Sequence, residues 1–233
     1  MNNTKSLLHE AIPRNLDQLD KPAVSVQVLI FSINKGKLEI VLIKRMREPF
    51  KDYFSIPGDI ITVEESLNDA AKRILYEKTG IKNVYLGQLE TFGEVNRDPR
   101  GRVIAVAYYS LLPHNSVDLS KAPNGLHASW IPVEKLSKLA FDHEEIIKTA
   151  IKRIKSKLLY SNIAGTLLPE SFRLSELQKA YEIILEEKID KRNFRKKMLS
   201  LDVIESTGEI YKLGNHRPAM LYKFKSKELI HYD

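Results

Sequence analysis

The sequence contains no cysteine among its 233 residues. Disulfide bonds and thiolate metal sites are therefore excluded, as is usual for proteins of the reducing cytoplasm. Long apolar runs are also missing, because no stretch approaches the ~20 apolar residues that a membrane-spanning helix needs. The N-terminus has no apolar signal-peptide core either. We therefore expect a soluble, cytoplasmic protein with no membrane partner.

Acidic residues are the minority charge in this chain. There are 30 Asp and Glu residues against 37 Lys and Arg residues, which gives a formal net charge of +7. An excess of this size favours polyanionic partners, although it says nothing about the fold. The positions of the charges are therefore more informative than their sum.

Apolar runs divide the chain into a strand-rich first part and a helix-rich second part. β-branched and apolar runs predict strands over 23–33, 38–45, 83–92 and 103–112. A long basic helix with one apolar face follows, from a capping box at Asp142 and Glu145 to Leu158. The pattern breaks after this helix. We therefore predict an N-terminal extension over 1–22, a first domain over 23–158 and a second domain over 159–233.

Two aromatic residues near the end of the first domain are given structural roles. Trp130 is the only Trp of the chain, and we interpret it as an anchor in the core. His143 follows the predicted helix cap and has no paired carboxylate or metal-ligand spacing around it, so we interpret it as structural rather than catalytic. Neither residue is therefore assigned to a functional site.

Residues 57–81, PGDIITVEESLNDAAKRILYEKTGI, combine a loop with a helix. Small, turn-forming residues open the segment, and Glu65 precedes the helix. From Ser66 the apolar residues recur at spacings of three and four, which predicts a helix that Gly80 ends. This loop and helix resemble the Nudix box, whose pattern is Gly, five residues, Glu, seven residues, then Arg-Glu-apolar-x-Glu-Glu-x-Gly-apolar.

The chain keeps the frame of this box but departs from it at the positions that carry its chemistry. The matching positions are Glu65, Arg73, Glu77, Gly80 and Ile81. In the family, three Glu side chains on one helix face hold the magnesium ions that neutralise a pyrophosphate and activate water. In this chain Asp59 replaces the opening Gly, Ile74 the first metal-binding Glu and Lys78 the last.

These departures remove the metal centre. Ile74 cannot ligate a cation, and Lys78 brings a positive charge to a place where the hydrolases gather negative charge. Glu77 alone is a poor magnesium site because Mg²⁺ demands near-octahedral oxygen ligands. We therefore predict no catalytic residue, no metal site and no cofactor, and magnesium would matter only if hydrolase activity were retained. The alternative is an ordinary amphipathic helix that matches the box by coincidence.

Basic side chains outside the box are candidates for ligand binding. Arg97, Arg100 and Arg102 fall within six residues, and guanidinium groups suit phosphates and vicinal hydroxyls. The Asp-Pro-Arg-Gly turn among them is also ordinary hairpin chemistry, so ligand contact and a solvated turn remain alternatives. Lys44 and Arg45 end a predicted strand and point to opposite faces, so only one of them can reach a given pocket.

The second domain has the layout of a winged helix: a helix, a turn, a basic helix and a hairpin. Ser175 and Gln178 are predicted to cap the first helix, and Asp190 is predicted to cap the second, KRNFRKKMLSL. Strands are predicted over 203–213 and 219–224. A basic helix of this kind fits the major groove, where Arg and Asn pair with base edges. The alternative is a solvated, lysine-rich surface helix.

From about residue 23 onward the chain resembles the Nudix-related transcriptional regulators, which include the NrtR regulators of NAD metabolism and the AraR-type regulators of arabinose use. The segments that carry the resemblance are the degenerate box, NRDPRGRVIAVAYYSL, LAFDHEEI, LLPESFRLSELQKAYE, DKRNFRKKML and HRPAMLYKF. The resemblance implies an α+β protein, with a Nudix-type α/β/α sandwich around a mixed sheet followed by a winged helix-turn-helix domain. It also implies a homodimer that binds a palindromic operator and an effector, which is ADP-ribose in one branch and L-arabinose in the other.

The resemblance and the charge pattern together assign two sets of binding residues. For the effector we assign Lys44, Arg45, Phe54, Glu77, Arg97, Asp98 and Arg100. For double-stranded DNA we assign Lys191, Arg192, Asn193, Arg195, Lys196 and, at the wing tip, His216 and Arg217. The arginines favour ADP-ribose or a related nucleotide over a sugar. Two other functions stay open: an active hydrolase of ADP-ribose or another nucleoside diphosphate derivative with an accessory C-terminal domain, and a constitutive architectural protein whose first domain only dimerises.

Overall fold

The computed structural model describes residues 21–123, 128–212, 218–226 and 229–231. A mixed sheet with a helix on each face comes first, and a three-stranded sheet with two helices follows. This confirms the predicted α+β class, a Nudix-type sandwich followed by a winged helix-turn-helix domain. The predicted extension lies outside the described residues as far as residue 20, and so do His216 and Arg217 of the predicted wing tip.

Seven strands build the first sheet. They are β1 (Ala23–Asn34), β2 (Lys37–Lys44), β3 (Phe54–Ser55), β4 (Gly58–Ile60), β5 (Gly87–Phe92), β6 (Val103–Leu111) and β7 (Ala128–Pro132). The main order is β3-β2-β1-β6-β5, while β4 pairs with β1 and β7 pairs with β2. β1 is parallel to β6 and antiparallel to β2, which makes the sheet mixed. β1, the longest of these strands, therefore lies at the centre of the main order.

Alternate residues of β1 face opposite sides of this sheet. Val28 and Ile30 belong to the core that the box helix, α1 (Leu67–Thr79), closes on one face. Leu29 belongs to the core that α2 (His143–Tyr160) closes on the other face. β1 is buried at eight consecutive positions, 25–32, as expected for a strand that is covered on both faces.

The box helix begins and ends where the sequence predicts. The Ser66 side chain accepts a hydrogen bond from the backbone N–H of Asp69 at 3.2 Å, which satisfies one of the free donors of the first turn. Gly80 ends the helix with φ of 75°, and its N–H donates to the carbonyl of Tyr76 at 2.8 Å. Glycine adopts this left-handed conformation without a steric penalty, so the stop signal has a clear physical cause.

The second helix, α2, begins where predicted, but the predicted capping box is wrong. The Asp142 side chain makes no capping hydrogen bond. Its two carboxylate oxygens accept instead from Arg97, at 2.6 and 2.7 Å. Two charge-assisted bonds to a guanidinium are worth more than one bond to a backbone N–H, so the ion pair is preferred. The predicted apolar face is confirmed by the buried residues Ile146, Ile147, Ala150 and Ile154.

The second domain contains three strands and two helices. They are β8 (Phe172–Arg173), α3 (Leu174–Leu185), α4 (Lys191–Ser200), β9 (Ile204–Tyr211) and β10 (Ala219–Phe224). β10 lies between β8 and β9 and pairs antiparallel with both. The hairpin of β9 and β10 follows α4, which confirms the predicted order of a winged helix. β8 is missing from the sequence prediction because two residues carry no periodic signal.

The predicted cap of α3 is wrong by two residues. The helix begins at Leu174, and Arg173 occupies the N-cap position. The Glu176 carboxylate accepts from the backbone N–H of Arg173 at 2.7 Å and from its guanidinium at 2.8 Å. Ser175 therefore lies inside the first turn, and Gln178 makes its hydrogen bonds elsewhere. A glutamate that reaches back to the N-cap backbone starts the helix earlier than the Ser-x-x-Gln pattern suggests.

Strand boundaries differ from the predictions mainly where strands are short or end in loops. β5 begins at Gly87 rather than at residue 83, and β9 ends at Tyr211 rather than at 213. The Pro57–Asp59 segment, predicted as a turn, instead enters β4 and pairs with β1. The prediction also omits β3 and β7. Short strands of this kind depend on the neighbouring strand for their hydrogen bonds, so the local sequence specifies them poorly.

Trp130 does not anchor the interior of the core. It is half-buried on β7, packs against the edge of the core on the α1 side, and its ring lies 5.2 Å from that of His114. The prediction rests on the large apolar area of a Trp side chain, but β7 pairs only with β2 and so lies at the margin of the sheet. Its side chain therefore covers an edge of the core.

One apolar core runs from the first sheet into the second domain. It includes Leu29 of the sheet, Ile154 and Leu158 of α2, and Phe172 and Tyr222 of the second domain, all buried. A shared interior holds the two domains in a fixed relation because separating them would expose this apolar area to water. The winged helix is therefore packed onto the sandwich, and α2 lies between the two.

Candidate effector cleft and DNA-binding helix

A small polar cleft of about 200 Å³ opens where β4 and the last turn of α1 face the 93–102 loop and the start of α2. Six charged side chains line it: Arg45, Asp59, Lys78, Arg97, Asp98 and Arg100. Four of them are cations and two are anions. A concave site with a surplus of positive charge is suited to an anionic ligand.

The structure brings together part of the predicted effector set. Arg45, Arg97, Asp98 and Arg100 line the cleft. Three other predicted residues do not: Lys44, Phe54 and Glu77. Lys44 is exposed and forms an ion pair with Asp52 at 3.0 Å, while Phe54 packs against the core on the α2 side. The roles of all seven residues in ligand binding stay predictions.

Arg45 and Arg100 both approach the ring of Phe141. Their guanidinium carbons lie 4.8 and 5.5 Å from the ring centroid. Burial and the nearby positive charge of Arg100 lower the pKa of Arg45. The two cations repel each other, and an anion bound beside them in the cleft would relieve the repulsion. The geometry therefore favours a phosphate group near Arg45.

The other arginines of the 93–102 loop are engaged within the protein. Arg97 is buried and bidentate to Asp142. Arg102 donates to the backbone carbonyls of Gly93 and Glu94, at 2.7 and 3.1 Å. Of the two alternatives for this loop, hairpin chemistry therefore explains Arg102. Arg97 holds the loop against the start of α2.

Asp98 and Arg100 form a local ion pair at the mouth of the cleft. Arg100 donates to both carboxylate oxygens of Asp98, at 2.9 and 2.6 Å. These hydrogen bonds hold the pKa of Asp98 below its usual range, so the carboxylate is charged at neutral pH. Arg100 is exposed on its other side, which leaves guanidinium donors available to a ligand.

His143 lines the floor of the cleft and is fully buried. Its Nδ1 accepts a hydrogen bond from the backbone N–H of Ile56 at 3.0 Å. Burial, together with the charges of Arg97 and Arg45, lowers the pKa of His143 to about 3. The ring is therefore neutral at physiological pH and cannot act as a proton donor there. This contact gives the predicted structural role a physical basis.

Gln27 presents a buried carbonyl oxygen to the same cleft. In the part of the chain that the structure describes, no group donates a hydrogen bond to Gln27 Oε1. A side-chain Cβ at Gly58 would lie 2.0 Å from this oxygen, so any other residue there would force the Gln27 amide to move. Buried acceptors without a partner are costly, and a ligand hydroxyl would satisfy this one. No sequence pattern predicts Gln27, Phe141 or Ile56 as members of the site.

Glu65, Arg73 and Glu77 of the box form an ion-pair network beside the cleft. Arg73 donates to both carboxylate oxygens of Glu65, at 2.6 and 2.8 Å, and to Glu77 at 3.2 Å. The hydrogen bonds from Arg73 lower the pKa of Glu65 to about 2. The network joins the loop to the helix. Both carboxylates therefore serve the loop structure, and Glu77 is directed toward Arg73.

The residues present at the box do not fit a magnesium ion. Ile74 is fully buried in the core between α1 and the sheet. Lys78 faces the cleft and forms an ion pair with Asp59 at 3.0 Å. No group of three or more His, Asp or Glu side chains with metal-binding geometry occurs within the described ranges. The position of the family's metal centre is therefore taken by an apolar side chain and an ammonium.

The basic helix α4 packs on one face and is charged on the other. Phe194 and Met198 are buried against α3 and the wing sheet. The helix is capped by Asp190, whose carboxylate accepts from the backbone N–H of Asn193 at 2.9 Å, as predicted. The predicted DNA-binding residues on this helix are all exposed: Lys191, Arg192, Asn193, Arg195 and Lys196. Within the residues that the structure covers, none of these cations has a carboxylate partner.

A hydrogen-bonded turn sets the angle between α3 and α4. The Gln178 amide donates to the carbonyl of Ile189 at 2.9 Å and to the Glu182 carboxylate at 3.2 Å. Glu182 also accepts from the backbone N–H of Ile189 at 3.1 Å. These bonds fix the loop before α4, so they position the basic helix. Gln178 is therefore a turn-stabilising residue rather than the helix cap that the sequence predicts.

The comparisons with known proteins match this two-part arrangement. Residues 21–152 match the NUDIX domain family, and residues 164–224 match the family described as the NrtR DNA-binding winged helix domain. An "ADPR responsive transcriptional repressor NtrR" of Acinetobacter baylyi is 37% identical over 207 residues, which cover 87% of this chain and 82% of that protein. The chain belongs to the NrtR family of Nudix-related regulators.

Two further relatives show the range of this similarity. Shewanella oneidensis NrtR complexed with a 27mer DNA is 32% identical, with a TM-score of 0.77 over 87% of this NrtR-family chain and 93% of the other. Its NUDIX domain complexed with ADP ribose has a TM-score of 0.54 at 28% identity, over 61% and 94%. An "ADP-ribose pyrophosphatase" of Methanocaldococcus jannaschii is 36% identical over 54% of this chain and 72% of that protein.

No helix among the described residues of this NrtR-family chain is long and apolar enough to cross a membrane.

Proposed function

We propose that this chain is an ADP-ribose-responsive transcriptional repressor that binds operator DNA through α4. The observation that carries the proposal is a cationic cleft and an unneutralised cationic helix in one chain with one continuous core. Duplex DNA supplies the phosphates that exposed Lys and Arg side chains need, and these contacts provide affinity and register. Arg195 and Asn193 are the side chains suited to guanine and adenine edges.

Relatives support the same function. The Acinetobacter baylyi relative is named for its response to ADPR, and the Shewanella oneidensis protein has been solved with DNA and, as its NUDIX domain, with ADP ribose. This chain contains a NUDIX domain followed by an NrtR winged helix domain. The wing-tip residues His216 and Arg217 remain predicted DNA contacts.

The cleft favours ADP-ribose over a neutral sugar. A pyrophosphate would supply negative charge to the guanidinium groups of Arg45 and Arg100, which both line the cleft, and a ribose hydroxyl would supply the hydrogen-bond donor that Gln27 Oε1 lacks. L-Arabinose could supply the hydroxyl but has no negative charge to offer Arg45 and Arg100. The charge of the cleft therefore supports ADP-ribose over L-arabinose.

We propose that the chain has no hydrolase activity and needs no metal cofactor. Glu77 is bound to Arg73, and positions 74 and 78 provide no carboxylate. The second candidate function, an active hydrolase of ADP-ribose, is favoured by the Methanocaldococcus jannaschii relative. The release of AMP from ADP-ribose at ordinary turnover rates distinguishes the two functions.

The proposed signal passes through α2. This helix begins at the cleft, where Asp142 holds Arg97 and His143 holds Ile56, and its far end packs in the core of the winged helix. Lys155 of α2 also pairs with Glu186 in the turn before α4, at 2.7 Å. A ligand that prefers one position of α2 would therefore shift the position of α4. Coupling of ~1–3 kcal/mol would change operator affinity by ~5–150-fold.

We propose that the functional unit is a homodimer in the cytoplasm. Two symmetric subunits present two recognition helices to a palindromic site, and the spacing of the half-sites must match the spacing of the helices. ADP-ribose would favour a dimer geometry in which this match is lost. The effector can shift the DNA affinity only by its difference in affinity for the two geometries.

The test is a DNA-binding titration of the full chain by fluorescence anisotropy, with fragments from upstream of its own gene. We expect specific binding that ADP-ribose weakens and L-arabinose leaves unchanged. A parallel assay follows AMP release from ADP-ribose with magnesium present. Brisk AMP release without specific DNA binding would overturn the proposal in favour of the hydrolase, and DNA binding that no ligand alters would favour an architectural protein.

A further inference from the structure

Two of the departures from the Nudix box contact each other. Asp59 on β4 replaces the opening Gly, and Lys78 in the last turn of α1 replaces the last metal-binding Glu. Lys78 Nζ and Asp59 Oδ2 are 3.0 Å apart, and both side chains line the cleft. The two substitutions are 19 positions apart in the chain yet form one ion pair, so each accounts for the other.

This ion pair differs from an ordinary surface pair on the same helix. Lys72 pairs with Asp69 at 3.7 Å, and the two side chains are 72% and 66% exposed. The Lys78 side chain is only 20% exposed, and the Asp59 side chain is 45% exposed. Surface pairs between mobile side chains contribute little. Lys78, by contrast, is held in a partly enclosed cationic site, where its charge is screened less by water.

The position of the ammonium matters for a ligand. An ammonium is a compact cation with three N–H donors, and it can contact phosphate oxygens directly. Lys78 lies in the same cleft as the two guanidinium groups of Arg45 and Arg100. The other charged or titratable groups that face this space are Arg97, which Asp142 neutralises, Asp98, which Arg100 neutralises, and His143, which is neutral. Asp59 is therefore the anion that a phosphate must displace from Lys78.

We propose that Lys78 is a resident cation that binds a phosphate of the ligand in place of a divalent metal ion, with Asp59 as its counter-ion in the empty cleft. This deepens the proposed function, on which it rests for the identity of the ligand. Because the positive charge belongs to the chain, ligand binding requires no magnesium. Asp59 competes with the ligand for the ammonium, so it lowers the affinity and prevents weak anions from occupying the cleft.

The experiment is isothermal titration of the full chain with ADP-ribose and, separately, with inorganic pyrophosphate. Each ligand is titrated in excess EDTA and in excess MgCl₂. We expect the native chain to bind in EDTA as tightly as in MgCl₂. Lys78→Gln should weaken binding about 10-fold or more, since it removes one charge-assisted contact. Lys78→Arg should retain most of the affinity, and Asp59→Asn should bind the ligand more tightly than the native chain.

Lys72→Gln is the matched control, because it removes a lysine of the same helix that has its own Asp partner but faces solvent. It should bind both ligands like the native chain. Thermal melts establish that each variant is folded. The comparison between EDTA and MgCl₂ uses the native chain, so it decides the question even if Lys78→Gln is unstable.

The outcomes separate this inference from the proposed function. Binding of ADP-ribose that requires magnesium, or that Lys78→Gln leaves unchanged, would overturn the resident cation. If the chain binds pyrophosphate in EDTA through Lys78 but does not bind ADP-ribose, the proposed effector is wrong. The proposed role of Lys78 would still hold. Absence of binding of both ligands in EDTA would overturn the resident cation as well.

Discussion

Two short helices of this chain, α1 and α4, are built alike and differ in how their charges are paired. Each begins with a side-chain cap, Ser66 or Asp190, and each buries one apolar face. On α1 every basic residue that borders the cleft or the box has a carboxylate partner: Arg73 with Glu65 and Glu77, and Lys78 with Asp59. On α4 no basic residue has one among the described residues.

The difference teaches what each helix can bind. On α1 the paired charges border a small cleft. A small anion that enters the cleft can replace Asp59 as the partner of Lys78. Unpaired charges on α4 remain solvated until a polyanion replaces the water and counter-ions. Both helices bury an apolar face, but α4 has no acidic residue of its own, whereas α1 contains Asp69 and Glu77 and also pairs with Asp59 and Glu65 from outside the helix.

The largest expected effect comes from the buried face of α4. Phe194 is 3% exposed, and its ring lies 5.2 Å from that of Tyr181 in an edge-to-face arrangement. Phe194→Ala should lower the free energy of unfolding by about 3–5 kcal/mol, because it removes a large apolar side chain and leaves a cavity. Denaturant unfolding of the full chain measures the change. Since the core is shared by both domains, the variant should also lower the melting temperature of the Nudix half.

Leu199→Ala is the control for this prediction. Leu199 is on the same helix but is 42% exposed, so its loss should change stability by less than about 1 kcal/mol. Equal destabilisation by the two variants would mean that α4 does not pack by the face that contains Phe194. In that case the assignment of the basic face of α4 to DNA binding would also be wrong.

The second largest effect is a loss of folding stability in acid, which we expect from His143 in the cleft and not from α4. Folding lowers the pKa of His143 from about 6.5 to about 3, so below pH 6.5 the unfolded chain binds a proton that the native chain does not. This contribution to stability is complete above pH 6.5 and decreases as the pH falls toward 3. Between pH 8 and pH 5 the free energy of unfolding should decrease by about 2 kcal/mol from this residue alone, at roughly 1.4 kcal/mol per unit below pH 6.5.

Comparison with His143→Gln checks this assignment. The carboxylates with lowered pKa values lose their contribution below their unfolded values, near 4, so the range from pH 8 to pH 5 isolates histidine. The variant should have a flatter stability profile over that range. A profile as steep as that of the native chain would show that another group titrates there, and it would remove His143 from the interior of the cleft.

The sequence predicts the fold and the recognition helix more fully than it predicts the cleft. Periodicity and caps predict α1 and α4 because helix ends depend on nearby residues such as Ser66, Gly80 and Asp190. The cleft depends instead on partners far apart in the chain, such as Arg97 with Asp142 or Lys78 with Asp59. No local pattern encodes such pairs.

The same limitation explains the wrong predictions. A capping box at Asp142 is reasonable from local sequence, but a distant arginine takes the carboxylate. Gln178 fits a cap pattern, yet its amide is used to fix the turn before α4. In each case a tertiary contact competes with a local one and is stronger. The predicted effector residues Lys44 and Glu77 also do not line the cleft, but their partners, Asp52 and Arg73, are close to them in the chain.

The third prediction tests the charged face of α4 directly. Arg195 is exposed, and its guanidinium carbon lies 6.0 Å from the centroid of the Tyr222 ring. Arg195→Ala should weaken operator binding by about tenfold or more, corresponding to ~1–3 kcal/mol for a base contact, and should leave ADP-ribose binding unchanged. Anisotropy titration with operator DNA and calorimetry with ADP-ribose measure the two affinities.

Lys72→Ala serves as the control on the other helix. Its partner Asp69 is also on α1, which covers the face of the first sheet opposite to the core that the winged helix shares, so operator affinity should not change. If both variants weakened DNA binding equally, binding would depend on the overall charge of the protein. The contrast between paired and unpaired cations would then have no functional meaning.

The smallest effect separates phosphate contacts from base contacts on α4. Lys196 is exposed and has no carboxylate partner within the described ranges, so Lys196→Ala should remove one phosphate contact. The slope of log K against log salt concentration should become shallower by about 1, with a similar loss of affinity for operator and for unrelated DNA. Lys148→Ala removes an exposed lysine that pairs with Glu144 on α2 and should leave the slope unchanged. If Lys196→Ala weakened binding to the operator alone, Lys196 would contact a base edge in the major groove. It would then belong with Arg195 and Asn193 among the residues that read bases.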